Sequence, residues 1–412
     1  SCAMVMDSVT LPKIVGSTAT IGRARKHVRA LFDRGVLQFP PPGFESGDSF
    51  FAVRDDTGPN RTYMGVTSAG RSPKFALQAV VASLLQSAAA IRESGMAADT
   101  EVDPYWTCVS YFNSLRELGG AHVLMQDDVP RQMNFVASCL DCSPRLLEEP
   151  PKELSSRVSS REIPEVLIEL ERTLDPNDPF APEPVHSVLA SNMISVGVDI
   201  SRLGLMVVNG QPKSTAEYIQ ATSRVGRGLP GLVMTLYNFG RPRDVSHFEH
   251  FGSYHGALYR SVEATSVTPW APRARDKALH AVFASLVRHL MAGMVDDESA
   301  VSFDPDRRGV AKLVEYLVAR ARAASDGLED KETRADLDAV VATWAKRSAS
   351  SRAEGGRLRY WEKRAPFGRT APHLMRAAEE LKGPESGAWP TPNSMRDVEP
   401  STAFLLKRIQ RR

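Results

Sequence analysis

The chain has 412 residues, 42% of them apolar and 24% charged, with a formal net charge of +2. That length fits two or three folded domains, and that composition excludes a disordered or collagen-like chain. Four cysteines exclude a disulfide scaffold, so reduced thiols and a cytoplasmic location are expected. No uninterrupted apolar run reaches 18 residues and no signal peptide is recognisable, so neither membrane insertion nor secretion is expected. The first residues, Ser1-Cys-Ala, lead us to expect an excised or processed fragment.

In chain order, residues 12–39 read as a strand, a Ser17-Thr-Ala-Thr20 turn, an amphipathic helix and a short strand. Pro40-Pro-Pro-Gly43 then breaks the chain and marks a domain boundary. Short strands are expected at 50–53 and 63–66, and a helix over 74–92 with Phe75, Leu77, Val80, Val81, Leu84 and Leu85 at helical spacing. Strand and helix signals follow in alternation. Strands fall at 107–112, 185–190, 205–209 and 231–238, and helices at 114–123, 164–174 and 215–224. This alternation predicts an α/β fold with a parallel sheet covered by helices.

After Arg241-Pro242 the strands are expected to stop, and 247–263, 274–294, 310–324 and 331–346 read as helices. From Lys346 to Arg412 there are 15 Lys and Arg against 7 Asp and Glu, interspersed with Tyr360, Trp361, Phe367, Trp389 and Phe404. Cations among aromatics suit a nucleic-acid groove, and equally a solvated helical surface with core aromatics.

Two motifs carry the chemistry. Ser191-Asn-Met-Ile-Ser-Val-Gly197-Val-Asp199-Ile follows an apolar strand, which puts Ser191 and Asn192 at its carboxyl end. Open α/β sheets bind ligands there. Ser191 suits a nucleic-acid phosphate through its hydroxyl and backbone N–H. Gly197 permits a tight turn, and Asp199 suits a sugar hydroxyl or the second motif.

The second motif is Gln220-Ala-Thr-Ser-Arg224-Val-Gly-Arg227-Gly. Arg224 and Arg227, three apart on an expected helix end, would share one face and reach a phosphate cleft. Guanidinium groups are planar, permanently charged and bidentate toward phosphate. Gln220, one turn earlier, adds an amide that suits the same phosphate.

Weaker signals fit the same frame. Ser17, Thr18 and Thr20 suit a helix cap. Asn113, Ser114 and Arg116 lie at a strand-to-helix junction, where N–H groups point at phosphate. Ser156, Arg157 and Ser160 precede a helix and suit a second phosphate. No phosphate-binding loop occurs in these 412 residues, since Gly16 to Gly22 lacks the Lys-Ser/Thr pair and has the wrong spacing. Asp296-Asp-Glu-Ser299 reads as a solvated turn. No metal is expected: Cys139-Leu-Asp-Cys142 stands alone, and His247, His250 and His255 read as packed histidines.

The two motifs resemble motifs V and VI of superfamily 2 helicases, Ser17–Thr20 resembles motif III, which implies that Ser17, Thr18 and Thr20 couple hydrolysis to movement, and Tyr111-Phe-Asn-Ser-Leu-Arg116 resembles motif IV. Further stretches narrow the likeness. Gly16-Ser-Thr-Ala-Thr-Ile, Phe39-Pro-Pro-Pro-Gly, Ser110-Tyr-Phe-Asn-Ser-Leu-Arg-Glu-Leu-Gly-Gly120, Ser155-Ser-Arg-Val-Ser-Ser-Arg-Glu and Asn393-Ser-Met-Arg-Asp-Val-Glu399 resemble, in this order, the large helicase subunits of bacterial DISARM anti-phage systems.

The resemblance implies a RecA-like second lobe and ATP-driven work on DNA. It places Gln220, Arg224, Arg227, Gly197 and Asp199 at the nucleotide, Gln220 on the γ-phosphate or the attacking water and Asp199 on the ATP ribose or motif VI, with ATP and Mg2+ held mainly by a first lobe. It also implies a partner subunit in a defence complex, and carboxy-terminal helices and a tail that help enclose DNA. The expected organisation is a remnant of the first lobe with motif III at 1–47, the second RecA-like domain at 48–245 and a helical region with a basic tail at 246–412. An RNA helicase and a non-catalytic binding or scaffold module are the alternatives.

Overall fold

The computed structural model describes residues 13–18, 20–41, 51, 53, 55, 57–58, 60–155, 157–158, 162–175, 182–195, 199–264, 267–361, 372–377 and 387–392. The chain separates into two compact units. The larger holds 20–22 and 42–263, and the smaller holds 1–19, 23–41 and 264–412.

The larger unit is built on six parallel strands: β1 (Arg61–Thr67), β2 (Cys108–Phe112), β3 (Lys152–Leu154), β4 (Ser187–Ala190), β5 (Leu205–Asn209) and β6 (Gly231–Tyr237). Their order across the sheet is β1-β6-β5-β2-β4-β3. Side chains alternate between faces along each strand, and both faces are apolar. On one face Val109, Tyr111, Val188, Met206, Val208 and Val233 pack with Leu170, Tyr218 and Ala221. Those three belong to α6 (Ile163–Leu170) and α7 (Thr215–Thr222). On the other face Cys108, Phe112, Leu189, Leu205, Val207 and Leu236 pack with Leu77, Val81, Leu85, Leu118 and Met133. These come from α2 (Pro73–Glu93), α4 (Leu115–Val123) and α5 (Val129–Leu140). At roughly 1.5–3 kcal/mol per fully buried aliphatic side chain, the covered sheet is the main source of this unit's stability. The expected α/β, RecA-like parallel sheet is therefore present.

Local chemistry sets the helix ends. Ser72 caps α2 by accepting the Phe75 N–H, with Pro73 at the first helical position. The 21 residues of α2 are long and apolar enough, by length and composition, to cross a membrane. Their apolar stripe instead covers the sheet, with Leu77, Val81, Ala82, Leu85 and Ala88 buried. A helix α3 (Asp99–Trp106), with Pro104 inside it, was not expected from the sequence. Its Glu101 carboxylate accepts the Ala98 N–H at 2.9 Å. Arg202 pairs with the buried Asp103 at 3.0 Å and so ties α3 to the chain just before β5. Beyond β6 the expected helix over 247–263 is broken into α8 (Pro242–Glu249), α9 (Phe251–Gly256) and a 3-10 turn at Leu258–Ser261.

In the smaller unit α1 (Ala24–Phe32) accompanies α10 (Pro272–Leu290), α11 (Arg308–Ala324) and α12 (Asp330–Ala353). Trp344 centres the core, stacked on Phe303 at 4.1 Å with its indole N–H donating to Ala300 O at 2.9 Å. The expectation that strands stop after Arg241 is overturned. β7 (Arg359–Trp361), β8 (His373–Ala377) and β9 (Trp389–Thr391) form a parallel three-stranded sheet. Tyr360 is buried in this core, and Trp361 and Trp389 pack against it. These three aromatics serve packing, while Phe367 and Phe404 lie outside the described residues. Residues 13–18, expected to include a strand, are irregular and exposed.

Candidate functional site

The motif VI residues gather at the amino edge of the six-stranded sheet. Helix α7 starts at the carboxyl edge, where Ser214 accepts the Glu217 N–H at 3.2 Å. It ends at Thr222, because hydroxyl groups compete for its last carbonyls. Thr222 donates to Tyr218 O and Ser223 to Gln220 O, each at 2.9 Å. Arg224 and Arg227 therefore lie on the turn beyond the helix, which corrects the expected shared helical face.

Backbone contacts and one side chain, that of Arg61, fix that turn. The Gly226 N–H donates to Leu203 O at 2.8 Å, and Arg61 Nε donates to Val225 O at 2.9 Å. Gly226 has φ +67°, and a Cβ there would lie 2.7 Å from the Gly231 Cα. Only glycine fits at that approach.

Three side chains project from this turn and the helix before it. Arg227 forms an ion pair with Asp199 and also donates to Ser223 O at 3.1 Å. Arg224 is half-buried. Burial, and secondly the charge of Arg227, hold its pKa below the ordinary guanidinium value. Gln220 Nε2 donates to Thr20 Oγ1 at 2.9 Å, so the motif III threonine meets the motif VI glutamine. Ser17 and Thr18 are exposed and irregular.

The motif IV residues, with Ser191 and Asn192 of motif V, lie at the opposite, carboxyl edge, one strand length away, or roughly 17 Å for five residues, whereas Asp199 of motif V reaches Arg227 at the amino edge. Asn113 Nδ2 donates to Asn209 O and Gly210 O, at 3.2 and 3.1 Å, and so joins the loops after β2 and β5. Ser114 caps α4 by accepting the Glu117 N–H at 3.3 Å, while Arg116 is exposed on the first turn. Ser191 is buried, and its N–H donates to Leu154 O at 3.1 Å. The expected phosphate contact through that N–H is thus corrected: the sheet uses the group. Asn192 opens a 3-10 turn and stays partly exposed. Arg157 makes two 3.0 Å bonds to Glu153. Ser156, Ser160 and Gly197 lie outside the described residues.

The carboxyl edge also holds a groove of about 710 Å³ bordered by Lys74, Arg116, Arg241, Asn209 and Asn238. Sequence reasoning missed Lys74, Asn209, Asn238 and Arg241. Asn209 and Asn238 end or directly follow expected strands, the position where parallel sheets carry ligand contacts. Buried Asp244 accepts the Gln211 and Asn238 N–H groups, at 3.2 and 3.0 Å, and so holds the loops after β5 and β6 together. Among the described residues no group of three or more His, Cys, Asp or Glu side chains is placed to hold a metal.

No protein-family model matches the chain. It is 40% identical over 405 residues, 96% of its length, to DISARM protein DrmA of Bacillus paralicheniformis, and spans 34% of that relative. Solved structures similar to it include the DUF1998 helicase MrfA bound to DNA and AMPPNP, at 15% identity and a TM-score of 0.41 over 64% of this chain and 30% of that one. Mycobacterium smegmatis helicase Lhr bound to ssDNA and AMP-PNP matches at 13% identity and 0.38, over 68% of this chain and 29% of that one. Dbp5 of S. cerevisiae, bound to RNA and ADP BeF3, matches at 13% and 0.30, over 54% and 45%. By its sequence this chain is a relative of the DISARM protein DrmA, and the stretches that resemble superfamily 2 helicase motifs lie on a RecA-like parallel sheet.

Proposed function

We propose that this chain supplies the second RecA-like lobe of an ATP-dependent DNA helicase or translocase that acts in cytoplasmic anti-phage defence, alongside a partner subunit. The observation that carries the reading is the division of labour between the two edges of one sheet. Cations stand on a backbone-fixed turn at the amino edge, and polar, phosphate-matching groups stand at the carboxyl edge. The likeness to a DISARM component over nearly the whole chain supports the defence role.

ATP is held between this lobe and a phosphate-binding lobe that also carries Mg2+. Gln220, Arg224 and Arg227 fit the phosphate end, being two cations and an amide on adjacent turns. Arg227 is parked on Asp199, whose side chain is 74% exposed. An exposed pair of this kind contributes about 0–1 kcal/mol, so exchanging Asp199 for phosphate costs little. In the bound state both guanidinium groups stabilise charge developing on the transferred phosphoryl group. Asn113, Ser114, Arg116, Arg157, Ser191 and Asn192 mark the DNA side. Cleft opening and closing shift the strand along that edge, and the Thr20–Gln220 bond links motif III to the nucleotide side.

The test is ATP turnover by the protein that unites this lobe with a phosphate-binding lobe. Arg227→Ala should lower turnover by roughly 10³-fold or more and leave nucleotide-free DNA binding unchanged. Unaltered turnover overturns the assignment. Competition between DNA and RNA strands of equal length decides the sugar.

A further inference from the structure

The groove at the carboxyl edge lies beside the motif IV residues, yet most of its walls come from segments that no motif covers. Its volume of about 710 Å³ falls in the range of ~300–1,000 Å³ that holds nucleotide-sized ligands. One wall is apolar, formed by Leu77, Ala121, Leu124 and Leu236. Lys74 stands on the first turn of α2 and Arg116 on the first turn of α4. Both are exposed, and neither has an ion pair or hydrogen bond among the described residues. Arg241 enters from the loop before α8 and pairs with Glu117. The charged lining is three cations against one carboxylate.

Glu117 adds a second, independent signal. Its Oε1 takes Arg241, whereas its Oε2 is buried with no hydrogen-bond donor among the described residues. The groove thus offers cations for anionic oxygens and an apolar wall, with an acceptor that lacks an N–H buried in its lining. A nucleotide unit supplies all three complements, in its phosphate, its base amine and its base face.

We propose that this groove binds one nucleotide of a nucleic-acid strand. Its phosphates sit on Lys74 and Arg116, and its base lies against Leu77 and Leu236 with an exocyclic amine donating to Glu117. This rests on the nucleic-acid reading above and extends the DNA track beyond the motif residues. Lys74 and Glu117 become contacts that the helicase motifs do not mark. Gly210 shapes the site: it has φ +81°, and a Cβ there would come within 3.3 Å of Arg241 Nη1.

The experiment is fluorescence anisotropy of this 412-residue chain with a labelled 12-nucleotide deoxyadenosine strand across a salt series. The Lys74→Ala/Arg116→Ala pair should weaken binding about tenfold per lost charged contact. It should also flatten the slope of log affinity against log salt by about 1.4, at ~0.7 per phosphate contact on a single strand. Thermal melting checks that this exposed pair leaves the fold intact. A matched Lys277→Ala/Lys312→Ala pair removes the same charge elsewhere and should leave affinity unchanged. Glu117→Ala should weaken deoxyadenosine strands and spare abasic ones.

Equal losses in the two lysine-containing pairs overturn the proposal, since they report net charge alone. So does wild-type binding that the groove pair leaves untouched. In that case, loss in an Arg157→Ala/Asn192→Ala pair would keep the DNA-track reading alive without the groove. Absence of wild-type binding at low salt also overturns the groove, and leaves the Arg227 turnover assay to judge the wider function.

Discussion

At the amino edge of the six-stranded sheet, backbone atoms and the Arg61 side chain hold the turn that carries Arg224 and Arg227. At the carboxyl edge the corresponding cations, Lys74 and Arg116, end in solvent. The amino edge closes through Gly226 N–H to Leu203 O and Arg61 to Val225 O, with the Gly226 and Gly231 backbones in contact. The carboxyl edge closes through side chains, with Asn113 and Asp244 bridging loops around an open groove. The difference matches the two chemical tasks proposed for these edges. A cation that stabilises a transition state must be placed to a fraction of an ångström before the reaction. A cation that follows a moving phosphate backbone works better on a long, free side chain. Helix α7 joins the edges, starting at one and ending at the other.

The largest effect should come from the amino edge itself. Arg227→Ala removes the charge and should lower ATP turnover by roughly 10³–10⁵-fold. No single carboxyl-edge cation should do more than weaken DNA affinity about tenfold. Steady-state hydrolysis beside binding isotherms reads both. A carboxyl-edge variant that abolished turnover at saturating DNA would break the division of tasks.

The same substitution made at each edge sharpens the contrast. Gly226→Ala forces an alanine to φ +67° and drives its Cβ against backbone that cannot yield. The cost should be about 3 kcal/mol, from left-handed strain plus overlap. Gly210→Ala meets only the ends of the Arg241, Asp244 and Asn113 side chains, at 3.3–3.4 Å. There the left-handed strain dominates, at about 1–2 kcal/mol. Chemical denaturation of both variants measures the pair, and equal losses would mean that the amino edge is no stiffer than the other.

How much of this was legible follows from what each element buries. Strands β2, β5 and β6 are sandwiched between helices, so they appear as apolar runs, and expected and observed bounds differ by at most one residue. Strand β3 has Lys152 and Glu153 in its three residues and gives no such signal. The β7–β9 sheet was missed for a related reason. Its strands are three to five residues long and pair with partners far along the chain, which local periodicity cannot register. At the candidate site, the residue types of motif VI were readable, but their support was not. The helix ends two residues before Arg224 because of hydroxyl bonds at Thr222 and Ser223, and the turn depends on contact with Gly231. Lys74 and Arg241 reach the groove from opposite ends of the unit's sequence, and only the sheet topology unites them.

A smaller effect should appear where α7 begins. Thr215 donates its N–H to both Glu263 carboxylate oxygens, at 3.1 and 2.8 Å, and its hydroxyl to one of them at 3.0 Å. A carboxylate at a helix start satisfies free N–H groups and complements the helix dipole. Glu263→Ala should cost about 1 kcal/mol, and hydrogen exchange should show faster opening over 215–222. Protection unchanged in α7 would mean that Ser214 caps the helix alone.

The finest probe of the link between the edges is pH. His255 of α9 lies against the middle of α7. Its Nε2 meets the Tyr218 hydroxyl at 3.0 Å, its Nδ1 meets Phe251 O at 2.9 Å, and its ring lies 4.9 Å from Tyr63 and 4.0 Å from Phe251. Burial holds its pKa below the ordinary histidine value, and burial also lowers that of His247. The folded state therefore favours the neutral ring, while the unfolded chain takes up its proton near pH ~6.5. Below that pH the unfolded state binds more protons, so the histidine contribution is present above ~6.5 and is lost as pH falls toward the depressed folded values. The melting temperature should drop between pH 7 and pH 5. His255→Gln, which keeps a polar group near Nε2 and cannot titrate, should reduce that drop and leave the pH 7.5 value nearly unchanged. The part of the drop that survives belongs to His247 and to the other buried histidines, His186 and His280, whose pKa values burial also lowers. An unaltered pH profile in His255→Gln would remove α9 from the contacts that set α7, and leave the amino-edge turn held by Arg61, Leu203 and Gly231 alone.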